Sequence, residues 1–166
     1  MIYLIDSSVL ITAKNTYYPM DRIPEFWEWL AYLSANGVIK IPHEIYKELT
    51  DGDDDLSEWV KSHKKDLYIN EEISNTEIFE ILQNCYGVDQ NNLSETEVEK
   101  FRGDPFIIAY ALHDKKNRVV ITIENSATSK KGANRKIPDI CSDLGIGCWN
   151  TYKMIRELDF KTNWNS

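Results

Sequence analysis

Four acidic residues of this chain stand next to segments that should form its core. Asp6 follows the apolar run at residues 1–5, and Glu48 sits near the end of residues 41–49. Asp104 opens the segment Asp104-Pro105-Phe106-Ile107-Ile108-Ala109-Tyr110-Ala111-Leu112, and Glu124 follows Val119-Val120-Ile121-Thr122-Ile123. Carboxylates are oxygen ligands that suit hard cations, so several of them at one place make a site for Mg²⁺ or Mn²⁺. One or two such ions can activate water and neutralise charge in the hydrolysis of a phosphodiester. Each acid also has an ordinary reading. Asp6 and Asp104 suit helix N-termini. Glu48 could be a solvated helix residue, with Glu44 one turn earlier on the same face, and Glu124 an ordinary loop acid. The joint pattern favours the site: two of the acids directly follow β-rich runs, and two lie on helical segments. A rival for the fourth position is Asp139, in Ile137-Pro138-Asp139-Ile140-Cys141.

Other chemistries find less support. His43, His63 and His113 are scattered and read as surface or packing residues, and no Ser/His/Asp triad is evident. The three cysteines, Cys85, Cys141 and Cys148, are odd in number and show no CxxC spacing. A disulfide framework or a zinc site is therefore not expected, and a reducing cytoplasm fits best. The formal net charge of −8 argues against indiscriminate binding to polyanions. It leaves a nuclease open, because an acidic site attracts phosphate once divalent ions load it. Lys130, Lys131, Arg135 and Lys136 form a local basic cluster after Glu124 that could guide a nucleic-acid backbone. No apolar run reaches the roughly 18–20 residues needed to span a bilayer, and the N-terminal residues lack the features of a signal peptide.

The elements that must position these residues alternate between strands and helices. Residues 2–5 read as a strand, with a helix starting at Asp6-Ser7-Ser8. Residues 15–19 read as a loop. Ile23, Phe26, Trp27, Leu30 and Leu33 have helical spacing that leaves Trp29 off the apolar stripe, and Gly37 is a suitable stop. A strand at 38–41 leads through Pro42 into a helix carrying Ile45, Glu48 and Leu49. A polar helix around Trp59 and a short strand at 67–69 follow. Ser74 with Glu77 and Ser94 with Glu97 are capping-box patterns. Asp104-Pro105 reads as an N-cap followed by proline in the first turn. Residues 119–123 form a β-branched strand, residues 125–136 a surface loop, and 137–144 a helix. A strand at 146–149 and a helix at 151–158 complete the chain. This order predicts one α/β domain over residues 1–166, with a mainly parallel central sheet flanked by helices in three layers. Residues 51–103 are a helical elaboration within it. Sites in open α/β sheets form beyond the carboxyl ends of the strands, where Asp6 and Glu124 should lie.

Taken in order, Tyr3-Leu4-Ile5-Asp6-Ser7-Ser8, Ile41-Pro42 with Glu48-Leu49, Gly103-Asp104-Pro105-Phe106-Ile107-Ile108-Ala109-Tyr110-Ala111, and Val119-Val120-Ile121-Thr122-Ile123-Glu124 resemble the PIN-domain family. That nuclease fold occurs in many toxins of bacterial and archaeal toxin–antitoxin pairs. The resemblance spans nearly the whole chain. It implies that Asp6, Glu48 and Asp104 bind Mg²⁺ or Mn²⁺, and that Ser8 helps hold the first acid or the metal-bound water. Glu124 stands where many members have aspartate, two residues after a threonine, here Thr122; the longer side chain reaches one methylene further. The expected activity is a metal-dependent endoribonuclease, a hydrolase. Its expected partners are an RNA substrate and a cognate antitoxin, with a homodimer left open and no membrane involved. A DNA-directed or structure-specific nuclease on the same acids, or a PIN-like scaffold that binds a partner without catalysis, are the alternatives.

Overall fold

The computed structural model describes residues 1–89, 101 and 103–164. Four strands form one sheet: β1 (Ile2–Ile5), β2 (Ile39–Lys40), β3 (Arg118–Ile121) and β4 (Gly147–Trp149). Every pairing is parallel, in the order β2-β1-β3-β4. The register sets Tyr3 beside Ile39, Leu4 beside Val120, and Val120 beside Cys148. Successive side chains of a strand point to opposite faces. Tyr3, Ile5, Val119 and Ile121 therefore enter one core, and Leu4 and Val120 enter the other. Strands buried on both faces need apolar residues at nearly every position, and the sequences Ile-Tyr-Leu-Ile and Arg-Val-Val-Ile supply them.

The first core is closed by α1 (Ser7–Thr12), α2 (Pro24–Ala35), α3 (His43–Thr50), α4 (Asp55–Ser62), α5 (Lys64–Leu67) and α9 (Thr151–Glu157). The second is closed by α6 (Asn75–Tyr86), α7 (Asp104–His113) and α8 (Ile137–Leu144). The result is the three-layer α/β arrangement expected from the alternation of elements. Fully buried side chains such as Phe26 and Ile107 each contribute on the order of 1.5–3 kcal/mol. The chain runs from β1 outward to β2, then crosses back to lay β3 and β4 on the other side. That reversal opens a crevice between the carboxyl ends of β1 and β3.

Several local expectations hold in detail. The capping box of α6 is present, with Ser74 and Glu77 bonded reciprocally. Gly37 adopts a left-handed φ of 70° after α2. Others differ. Residues 13–17 form a π-helical turn (Ala13–Tyr17) that continues α1, closed by the Tyr18 N–H on the Ala13 carbonyl at 2.7 Å. Trp29 is buried because Phe160, from beyond α9, packs on it with ring centroids 5.0 Å apart; a helical stripe cannot reveal so distant a partner. In place of a strand at 67–69, α5 runs to Leu67 and a single parallel bridge joins Tyr68 to Ile41. The second capping-box pattern, Ser94 with Glu97, lies outside the described residues. Of the segment 51–103, the described part includes α4, α5 and α6, and α6 packs along α7. No helix among the described residues is long and apolar enough to cross a membrane.

Candidate metal centre at the carboxyl edge of the sheet

Asp6 is placed by the end of β1. Its N–H donates to the Ile121 carbonyl at 3.0 Å, which extends the β1–β3 ladder by one residue and pins Asp6 against β3. Its carboxylate occupies the crevice between the two strands and is held by hydroxyls. Thr122 Oγ1 donates to Oδ2 at 2.9 Å, and the Ser8 hydroxyl donates to the same oxygen. Ser7 Oγ lies 3.0 Å from Glu48 Oε2 and 3.5 Å from Asp6 Oδ1, so one hydroxyl links the first two acids. Glu48 is carried by α3, whose Ile45 and Leu49 face the core and leave Glu48 on the flank toward α1.

Asp104 comes from the opposite layer. Gly103 is the N-cap of α7, and Asp104 is the first helical residue with Pro105 behind it. Asp104 is therefore not the cap that Asp-Pro suggests. Gly103 sits at a close approach: a Cβ there would meet Ile45 Cδ1, so that side chain would have to shift, and would lie 3.7 Å from Glu48 Oε2. The missing side chain lets the start of α7 press against α3, which brings Asp104 toward Glu48. Glu124 lies beyond β3, its N–H bonded to Thr122 Oγ1 at 3.2 Å. Its carboxylate turns to α8, accepting from Lys136 Nζ at 2.5 Å and from the Ile137 N–H at 2.9 Å.

The electrostatics show how closely these groups share one space. Burial pushes the Asp104 carboxyl up to about 7, and the charges of Asp6, Glu124 and Glu48 push the same way, with Lys136 opposing. Burial also raises Asp6, against the hydroxyls of Ser8 and Thr122 that stabilise its charge. The hydrogen bond to Glu124 raises the Lys136 ammonium, with Asp104 adding to it. Beside the acids, the Tyr86 hydroxyl is buried without a hydrogen-bond partner among the described residues, and it feels both Asp104 and Glu124. A buried polar group with no partner is costly. Together with carboxylates that repel one another, it describes a site whose chemistry fits a cation with its water.

Asp6, Glu48, Asp104 and Glu124 thus come from four separate elements to one edge of the sheet, with Ser8 and Thr122 in support. Among the described residues no group of three or more His, Cys, Asp or Glu side chains is arranged to hold a metal ion as it stands. Glu124 in particular is turned away to Lys136. Asp139 is engaged elsewhere: the Ser126 hydroxyl and the Ala127 N–H, the latter at 2.8 Å, bind its carboxylate and hold it below the usual range. It fastens the loop after β3 to α8. The basic cluster disperses. Arg135 donates to the Cys85 carbonyl at 2.9 Å and pairs with Asp143 at 2.5 Å, while Lys130 and Lys131 are exposed on the loop. Of the four, Lys136 is the one that reaches the acids. Sequence reasoning missed Ser7, though the Asp-Ser-Ser string could have signalled it. It also missed Tyr86, for which no local signal exists.

These features define a three-layer α/β protein with a carboxylate cluster at the switch point of a parallel sheet. A family described as "Domain of unknown function (DUF4411)" matches residues 3–162, and the chain belongs to it. No curated protein matches the chain.

Proposed function

We propose that this chain is a metal-dependent nuclease of PIN type that hydrolyses RNA and serves as the toxin of a toxin–antitoxin pair. The observation that carries the reading is the convergence of Asp6, Glu48, Asp104 and Glu124 at one edge of the sheet, where burial and the three other acids push the Asp104 carboxyl up, with one lysine to offset them. Folding assembles that repulsion from residues 6 to 124 without an evident structural return, which is the arrangement expected where a divalent cation is to be held. Asp6, Glu48 and Asp104 would hold the ion, with Glu124 joining on release from Lys136. When bound, the ion supplies charge neutralisation at the phosphodiester and activation of water.

The chain's own residues prepare the site. Ser8 and Thr122 fix the Asp6 carboxylate in one orientation, and Ser7 ties Glu48 to it. Lys136 balances Glu124 until substrate arrives, and its ammonium then lies beside the anionic strand. The choice of RNA and of an antitoxin partner rests on the PIN resemblance. The test is cleavage of matched RNA and DNA oligonucleotides with Mg²⁺ or Mn²⁺ and with chelator. Metal-dependent RNA cleavage that Asp6→Asn abolishes is expected. Cleavage of DNA alone would move the reading to a DNA-directed enzyme. Absence of cleavage together with no metal-induced rise in melting temperature would end it.

A further inference from the structure

The carboxylates use only part of the sheet edge. On the side of α1 and α9 lies a cleft of about 290 Å³, lined among others by Tyr17, Tyr18, Ile123, Asn125, Asn150 and Tyr152. It is continuous with the acidic site in sequence. Ile123 and Asn125 flank Glu124, and Val9, which also lines the cleft, follows Ser8. Glu124 turns to α8 while its two neighbours face the cleft. The two places are therefore adjacent on one edge, one charged and one not.

The aromatic wall of the cleft is unusual in its construction. Tyr17 ends the π-helical turn that continues α1. The wider turn redirects Tyr17 relative to an α-helical continuation, and such turns often occur at functional positions. Its ring meets Tyr152 of α9 edge-on, with centroids 6.3 Å apart at 66°. Both rings stay open to solvent, at 52 and 60 % exposure, beside Ile123 at 39 %. Two large aromatic rings are thus held in place on helical elements yet left uncovered.

Among the described residues, the lining contains no Asp, Glu, Lys or Arg. A phosphate would find no cationic partner there, whereas a neutral planar group finds ring faces to stack on. The exposed Asn125 amide offers one donor group and one acceptor, and the Asn150 amide keeps its NH₂ free to donate, since its oxygen accepts from the Lys153 N–H at 2.9 Å. A single nucleic-acid strand alternates neutral bases with charged phosphates. Unpaired bases splay out to stack on aromatic side chains and to bond at their edges. We infer that this cleft is a nucleobase subsite, in which an unpaired base of single-stranded RNA seats against Tyr17 and Tyr152 while an adjoining phosphate lies at the carboxylates. This inference deepens the nuclease reading and rests on it.

The probe is a short single-stranded RNA carrying one 2-aminopurine, whose fluorescence falls on stacking, titrated with wild-type protein with Ca²⁺ in place of Mg²⁺. Saturable quenching is expected. The double variant Tyr17→Ala/Tyr152→Ala should bind about 5- to 100-fold more weakly and lose the quench, the loss expected for one base stack. Tyr17→Phe/Tyr152→Phe keeps both rings and should retain the quench. In Mg²⁺, the alanine variant should show a raised KM with kcat little changed. Unchanged affinity and quench in the alanine variant would overturn the subsite and leave the tyrosine pair as a surface for a protein. Wild-type cleavage by that variant would do the same while leaving the nuclease reading intact. Tyrosine-dependent quenching without metal-dependent cleavage of any strand would retain the base-binding cleft and refute the nuclease reading.

Discussion

Replacing Asp104 with asparagine should make the metal-free protein more stable at alkaline pH, and the size of the effect follows from the site. The carboxyl ionises near 3.8 when unperturbed and near 7 in the fold. Between these values the folded state binds the extra proton. Its contribution to stability is therefore full below about pH 4 and is lost as pH rises to about 7. The shift, 7 minus 3.8 or about 3 units, corresponds to about 4 kcal/mol at most, at about 1.4 kcal/mol per unit. Partial solvent exposure of Asp104 screens some of this, leaving about 2–4 kcal/mol. The replacing asparagine fills nearly the same space and carries no charge. It forfeits the attraction between a carboxylate and the start of α7, worth about 0.3–1 kcal/mol, so the relief of repulsion wins. The net gain is about 1–3.7 kcal/mol; at about 2–4 °C per kcal/mol for a chain of this size, Asp104→Asn should melt roughly 2–15 °C above wild type at pH 8 in chelator. The gap should narrow as pH falls to 5 and vanish only below about pH 4. Added Mn²⁺ should raise the wild type more, by about 2.7 kcal/mol at a hundred times its Kd. Calorimetry across pH 5–8, with and without metal, measures all of this. A pH-independent difference, a wild type more stable at pH 8, or an equal metal response in both proteins would refute the reasoning.

Two further outcomes follow from neighbouring contacts. Glu124→Gln should impair cleavage more than Asp139→Asn, which should instead lower stability by weakening the tie to Ser126 and Ala127; cleavage rates normalised to folded protein, with melting curves, rank the two, and the reverse ranking would place Asp139 in the site. Gly103→Ala should cost about 1–3 kcal/mol, because the new methyl meets the tip of Ile45, which is 1 % exposed and must shift within the core to admit it. It should also lower metal affinity by spreading α7 from α3, which titration calorimetry with Mn²⁺ would register; an alanine variant with wild-type stability and affinity would contradict the close-approach argument.

The strands were legible in the sequence because short β-branched and aromatic runs allow few other structures, and because a strand buried on both faces needs apolar residues throughout. The acids were legible by position: Asp6 directly follows such a run and Glu124 follows another, and in a parallel sheet both ends must lie at one edge. Local chemistry also fixed the capping box at Ser74 and the stop at Gly37. The tertiary structure decided what local pattern cannot encode. The hydrogen bond from Thr122 to Asp6 joins residues 116 positions apart, and no window of sequence contains both. Asp104-Pro105 carries the local signature of a cap, but packing of Gly103 on Ile45 makes the glycine the cap and leaves the carboxylate to the site. The basic run after Glu124 looked uniform, yet its members separate: Lys136 meets Glu124, Arg135 meets Asp143 and Cys85, and Lys130 and Lys131 are exposed on the loop. Tyr17 owes its place to a π-helical turn and to Tyr152 on another element, neither of which local periodicity reveals. Secondary structure follows from propensity and periodicity over a few residues, whereas the charge of a site follows from which distant side chains the packed layers bring together.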